Sequence, residues 1–153
     1  AALGAGIMES RFEGEAAMRW ECMASSDDID PYQISVQEGT QRILDWAPVL
    51  DALQQDPDEP SLKSARFHAA LAKGIGETAA KIGVPTVGLT GGCFQNQLLS
   101  RLTCIELRQR GLTPLEHRRI PPNDGGIAFG QAVAAVWNVV WKPTLSSESP
   151  FSG

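Results

Sequence analysis

The chain has 153 residues, one domain's worth and enough to bury a real core. Its hydrophobic content of 42% and charged content of 20% are globular values. A net charge of −5 disfavours non-specific binding to nucleic acid or to an anionic membrane, because both reward a basic surface.

Phe12-Glu13-Gly14-Glu15 leads into a helical run from Ala16 to Met23, which Ser25-Ser26-Asp27-Asp28 ends. Tyr32 to Val36 alternates as strands do, and Gln41 to Trp46 is placed to pair with it. Pro48 to Gln55 reads as a short helix with apolar Val49, Leu50 and Leu53. Asp56-Pro57-Asp58-Glu59-Pro60 is a rigid acidic connector. Ser61 is positioned to cap a long helix reaching about Ile82, in which Leu62, Ala65, Ala69, Ala72, Ile75 and Ala79 recur at helical spacing. Gly74 and Gly76 inside it imitate a dinucleotide fingerprint. No strand precedes them, so they read as close-packing positions in a helix.

The stretch Thr86-Val87-Gly88-Leu89-Thr90-Gly91-Gly92-Cys93-Phe94-Gln95-Asn96 organises the second half of the chain. It predicts a strand, a tight glycine turn and the start of a helix over Gln97 to Arg110. Backbone N–H groups and a helix N-terminus at such a turn suit one small anionic ligand. Glycine allows close backbone approach, or a left-handed turn. Asn96 stands at the helix entry, where it either caps the helix or offers its amide to a ligand. The helix buries Leu98, Leu99, Leu102 and Ile105, and Gly111 ends it. Leu112 to Ile120 predicts a second strand, parallel to the first. Pro121-Pro122-Asn123-Asp124-Gly125-Gly126 is a sharp turn, Ile127 to Trp141 an expected buried helix, and the residues from Lys142 an expected flexible tail.

Both glycine turns then fall at the carboxyl edge of a parallel sheet, where open α/β sheets bind ligands. Asp124 there reads either as a helix cap, which its spacing alone favours, or as an oxygen ligand for a divalent metal. His68 and His117 are 49 residues apart and form no metal-binding pattern. Cys93 has no histidine beside it in sequence and reads as a buried small hydrophobe. No Walker A sequence is present. Cys22, Cys93 and Cys104 cannot all pair with one another, so reduced thiols in the cytoplasm are expected. No apolar run approaches membrane-spanning length, and no signal peptide is visible. The opening Ala1-Ala2-Leu3-Gly4 lacks an initiating Met and suggests a piece of a longer protein.

Leu89 to Asn96, followed 28 residues after Asn96 by Asp124 within Arg118 to Ala132, resembles the C-terminal end of the HypF-type carbamoyltransferases of [NiFe]-hydrogenase maturation. Phe12 to Met18 and Ala65-Arg66-Phe67-His68 are similar to two further stretches of that family. The resemblance covers most of residues 1–142, and residues 143–153 are left as the tail. It implies an α/β fold, half of an actin-like ATPase or sugar-kinase (ribonuclease H-like) architecture, with a parallel or mixed sheet flanked by helices. It implies nucleotide contacts at Gly14 and Asn96, beside the Gly91-Gly92 turn. Asp124 is implied as a metal ligand, for iron, zinc or magnesium, acting with two histidines of an upstream His-x3-His that this chain lacks.

The activity implied is formation of carbamoyl-adenylate from carbamoyl phosphate and ATP. The carbamoyl group then passes to the C-terminal cysteine of a HypE-type acceptor, on the way to a cyanide ligand. The nucleophile comes from that partner, so no Ser-His or Cys-His pair is needed here. Neither nucleic acid nor membrane is an expected partner. Two other readings stand beside it. One is the tRNA threonylcarbamoyl-adenosine transferase relative, which shares the scaffold, although the Gly-Gly-Cys-Phe-Gln-Asn wording and the acidic charge argue against it. The other is a non-catalytic module in which both glycine turns are ordinary turns.

Overall fold

A computed structural model describes residues 9–25, 30–37 and 43–136. The expected helix beyond Val136, the tail, and Ser26-Asp27-Asp28 lie outside the described residues. The elements are helix α1 (Glu15–Met23), strands β1 (Ser35–Gln37) and β2 (Ile43–Asp45), helices α2 (Ala47–Gln55) and α3 (Pro60–Ile82), strand β3 (Thr86–Leu89), helix α4 (Gln97–Gln109), strand β4 (Thr113–Glu116) and helix α5 (Ile127–Val136). Short 3-10 turns cover Gly92–Gln95 and Asp124–Gly126.

Among the described residues the strands form two small sheets. β1 and β2 pair antiparallel, with Val36 opposite Leu44. β3 and β4 pair in parallel, from Thr86 opposite Thr113 to Leu89 opposite Glu116. The second strand is shorter than Leu112 to Ile120, because β3 ends at Leu89 and the chain turns away through Thr90 and Gly91, leaving nothing for His117 to pair with. The strand–helix–strand order with parallel pairing is the one expected of such a unit.

α3 is the spine. Its Ala70 joins Trp20, Tyr32, Val49 and Leu53 in one core, its Ala72 joins Leu98 and Leu102 in a second, and its Ala79 joins Leu89, Cys104 and Leu107 in a third. Small residues on this helix let its neighbours come close. A Cβ on Gly74 would stand 2.8 Å from Ile34 Cδ1, and one on Gly76 would stand 3.1 Å from the Glu106 Cβ of α4. The two glycines are packing positions, and the helix runs through them unbroken. Ser61 is not the cap. The helix begins at Pro60, whose fixed φ and missing N–H suit the first helical position, with Glu59 at the cap and no side-chain bond there.

α5 departs from expectation. It is apolar nearly all round, yet none of its residues is buried, and Ile127, Phe129 and Val136 are 55%, 56% and 80% exposed. All-round apolarity specifies that a helix is covered in the assembled protein, not which part of the polypeptide covers it. Among the described residues α5 contacts chiefly the Asp124–Gly126 turn. No helix among the described residues is long and apolar enough to cross a membrane.

Candidate functional site

A cleft of about 590 Å³ opens between α1, α3 and the Gly92–Gln95 turn. Gly14, Gly92 and Asn96, each singled out in the sequence, all line it. Apolar Trp20, Phe67, Leu71 and Leu99 form one wall, and Glu13, Glu21, His68, Cys93 and Gln95 supply polar groups. The volume lies in the ordinary range for small-molecule sites, roughly 300–1,000 Å³.

Gly14 precedes α1 with φ +81°, a left-handed conformation that L side chains rarely adopt. Glu15 follows it and is buried, with its carboxylate held by Arg11 at 2.9 Å and Arg19 at 2.6 Å. Hydrogen bonds from Arg11, side chain first and then backbone, hold this carboxyl below its usual range. The Arg11–Glu15 pair fixes the turn that presents Gly14.

Gly91 has φ +98°, and its N–H donates to the Pro122 carbonyl at 2.7 Å. This bond joins the two glycine turns at the carboxyl ends of β3 and β4. It also occupies the Gly91 amide, and Gly91 is not among the residues lining the cleft. Gly92 is, and a Cβ there would meet nothing within 4 Å. Among the described residues the Gly92 and Cys93 amides have no acceptor, and neither do the Glu13, Gly14, Ala16 and Ala17 amides at the start of α1, which line the same cleft.

The N-terminus of α4 is already filled. Glu21 Oε1 accepts the Gln97 amide at 2.6 Å and the Leu98 amide at 3.2 Å. Asn96 Oδ1 accepts the Leu99 amide at 2.7 Å, and the Asn96 amide donates to the Cys93 carbonyl at 3.2 Å. All four orphan donors of the first turn are satisfied within the chain. An anion at this helix end would have to displace Glu21, which corrects the expectation that the helix N-terminus itself faces the ligand.

Asn96 therefore caps α4 and reaches the cleft at once. Its Nδ2 donates to His68 Nε2 at 2.9 Å. His68 is 3% exposed, and its Nδ1 lies 2.8 Å from the Ser64 carbonyl. Burial pushes the His68 pKa down, against the Ser64 hydrogen bond and the Glu21 charge, so the ring stays neutral. By spacing alone His68 reads as a packed or hydrogen-bonded histidine, as it is, but nothing in the pattern points 28 positions along the chain to Asn96 as its partner. Glu21 is invisible in the sequence for the same reason.

Cys93 is exposed at the cleft, not buried, and sits in the 3-10 turn between β3 and α4. Cys22 is exposed and Cys104 buried, and all three thiols are free. Burial, followed by the Glu116 carboxylate, pushes the Cys104 thiol up to about 11. His117 is exposed and lines a second, smaller hollow of about 330 Å³ with Leu89, Glu116 and Pro122.

Asp124 is exposed; its carbonyl accepts the Ile127 amide, but its carboxylate makes no hydrogen bond or ion pair with any described residue. The cap of its turn is Asn123, whose Oδ1 accepts the Gly125 amide at 3.1 Å. Among the described residues no group of three or more His, Cys, Asp or Glu side chains is placed to hold a metal. These residues alone do not make a metal centre; Asp124 offers one oxygen ligand and nothing beside it completes the set.

An α/β domain that gathers two glycine turns at the carboxyl edge of parallel strands, beside a cleft with an apolar wall and the side-chain amides of Gln95 and Asn96, is the architecture of a small-molecule-binding lobe. Residues 1–131 match the family described as "Carbamoyltransferase, Kae1-like Domain, second subdomain". The chain belongs to this family, the HypF carbamoyltransferases. It is similar to the carbamoyltransferase HypF of Synechocystis sp., 35% identical over 85% of this chain and 17% of that protein. The HypF of Rhodobacter capsulatus is 37% identical over 88% of this chain and 18% of its own length. Among solved structures, full-length HypF in its phosphate- and nucleotide-bound form superposes with a TM-score of 0.76 at 29% identity, covering 90% of this chain and 20% of that one. The chain thus spans under a fifth of the length of the two curated relatives.

Proposed function

We propose that the cleft binds the nucleotide part of carbamoyl-adenylate, and that the chain is one lobe of an enzyme of actin-like ATPase fold. That enzyme forms carbamoyl-adenylate from carbamoyl phosphate, ATP and water in the cytoplasm, releasing phosphate and pyrophosphate. It then transfers the carbamoyl group to the C-terminal cysteine of a HypE-type acceptor, giving a thiocarboxamide and AMP. The thiocarboxamide serves the cyanide ligand of a [NiFe]-hydrogenase. The observation that carries the reading is the convergence of Gly14, Gly92 and Asn96 on one cleft.

The chemistry of the walls supports an orientation. The free Gly92 and Cys93 amides suit a phosphate, and a missing Cβ lets it approach. Glu13 and Glu21 repel a phosphate but accept hydrogen bonds from ribose hydroxyls or an adenine amine. Trp20, Phe67 and Leu71 offer an apolar bed for a base. Asp124 would contribute one anionic ligand to a divalent metal whose other ligands come from outside this chain. Such a metal would supply Lewis-acid chemistry when bound.

The test uses a full-length protein carrying this segment, incubated with carbamoyl phosphate, ATP and a HypE-type acceptor. AMP release with carbamoylation of the acceptor thiol is expected, and Asn96→Ala should weaken AMP binding. Carbamoyl transfer to the acceptor without any effect of substitutions at Gly92 or Asn96 would leave the activity and remove this cleft from it. Transfer to tRNA instead would favour the tRNA-modifying relative.

A further inference from the structure

We propose that His68 is a positioning residue of the cleft, holding the Asn96 side chain so that one amide hydrogen is left to face a bound nucleotide. The inference rests on the nucleotide reading of the cleft. Asn96 has two donor hydrogens and one acceptor oxygen, and the two ends of its amide have nearly the same shape. What decides which end points where is the set of partners around it.

Those partners form a directed chain. The Ser64 carbonyl is an acceptor only, so His68 Nδ1, 2.8 Å away, must carry the ring hydrogen. His68 Nε2 is then an acceptor, and it takes one hydrogen from Asn96 Nδ2 at 2.9 Å. The Asn96 oxygen is left to accept from the Leu99 amide at 2.7 Å. Turning the amide over would set its oxygen against the Nε2 lone pair and its hydrogens against the Leu99 N–H. Two bonds would be lost together, so one orientation is enforced. The second Nδ2 hydrogen, unused by His68, remains for an acceptor atom of the nucleotide.

The arrangement holds only while His68 is neutral. A protonated ring would set an Nε2–H against the Asn96 N–H. Glu21 from α1 favours the protonated ring, and the Cys93 thiol from the Gly92–Gln95 turn lines the same cleft. From its own helix the Ser64 carbonyl also favours it, Glu13 stands at the cleft beyond, and Phe67 packs edge-on at 5.9 Å. Burial outweighs these and keeps the proton off. The Ser64 hydroxyl oxygen also lies 3.4 Å from His68 Nδ1, and that hydroxyl donates to the Trp20 carbonyl of α1.

Two measurements test this. In the 153-residue chain, NMR of the His68 ring nitrogens and of the Leu99 amide is followed through a pH titration. His68 should be the Nδ1–H tautomer at neutral pH, and the Leu99 amide shift should titrate with the His68 ring. In a full-length protein carrying the segment, AMP affinity is measured for His68→Leu and His68→Gln. The leucine removes the acceptor, and affinity should fall about two- to ten-fold, the loss of one neutral hydrogen bond. Glutamine can offer its side-chain oxygen to Asn96 and should restore most of the binding. If His68→Leu does not fold, the glutamine variant and the titration still decide. An Nε2–H tautomer, a Leu99 amide indifferent to His68, or undiminished AMP binding by His68→Leu would overturn the proposal. Failure of the unmutated protein to bind AMP would overturn the nucleotide reading instead, with the tautomer and the Leu99 amide deciding the positioning role alone.

Discussion

The Glu21 carboxylate accepts the Gln97 amide at 2.6 Å, so a side chain of α1 supplies the first cap of α4 across 76 positions of sequence. The same oxygen also takes the Leu98 amide at 3.2 Å. One side chain thus fastens the helix that carries Gly14 to the helix that begins at Asn96, and the cleft lies between the fastened ends. Glu21→Ala should cost about 0.5–2 kcal/mol, the range for loss of a helix cap. Glu21→Gln keeps an oxygen acceptor and should lose chiefly the charge–dipole part, about 0.3–1 kcal/mol. Urea unfolding of both variants checks this; equal losses would mean that the hydrogen bonds contribute nothing beyond charge.

Asn96 has two duties that a pair of substitutions can separate. Serine caps about as well as asparagine, whereas alanine does not. Asn96→Ser should therefore keep most of the stability that Asn96→Ala loses, about 0.5–2 kcal/mol. Neither variant offers an amide hydrogen, so both should lose AMP affinity alike, by about 0.5–1.5 kcal/mol. Calorimetric titration of a full-length protein with AMP is the measurement. AMP bound as tightly by Asn96→Ser as by the unmutated protein would leave Asn96 as a cap alone.

What was legible in the sequence was local. Alternation and glycine punctuation located β3, the turn after it and α4, because period and turn chemistry act over a few residues. Gly74 and Gly76 were legible as packing positions because no strand preceded them. What escaped was long-range or contextual. Glu21 reaches Gln97 and His68 reaches Asn96 only after α1, α3 and α4 have packed, and no short pattern encodes either contact. Cys93, read as a buried small hydrophobe, came out exposed in the turn after β3, where no neighbouring element covers it among the described residues. The burial expected of α5 failed because its apolar surface has no covering element among the described residues.

Asp56 should mark the acid limb of stability. Tyr32 donates to its Oδ2 at 2.6 Å, and Arg66 pairs with the same oxygen at 2.6 Å while also reaching Asp58 at 2.7 Å. Burial pushes the Asp56 carboxyl up, but bonds from Tyr32, the Asp58 amide and Arg66 outweigh it and hold the pKa at about 2, below the ordinary 3.8. A carboxyl lowered in the folded state releases its proton more readily there than in the unfolded chain. Its stabilisation is thus fully present above pH 3.8 and is lost as pH falls through about 2. Asp56→Asn should flatten the fall in unfolding midpoint across that window. An unchanged acid limb would assign the effect to other carboxylates.

Asp124→Asn separates metal chemistry from turn structure. The structure gives the cap of the turn to Asn123, whose Oδ1 holds the Gly125 amide, and leaves the Asp124 carboxylate exposed without a described partner. Removing its charge should therefore leave stability within about 0.5 kcal/mol, as at other exposed sites without structural duties. A divalent cation, by contrast, needs the anionic oxygen as well as its position, so a ligand role predicts loss of bound metal. The comparison requires a full-length protein, because no cluster of three ligating side chains occurs among the described residues of this chain. Metal content by elemental analysis, carbamoyl transfer and melting temperature are measured on the same preparations. The expected outcome is an unchanged melting temperature with metal and transfer both reduced. Full metal content in Asp124→Asn would make Asp124 a surface carboxylate. A lowered melting temperature with metal retained would give it a structural role that the present geometry does not contain.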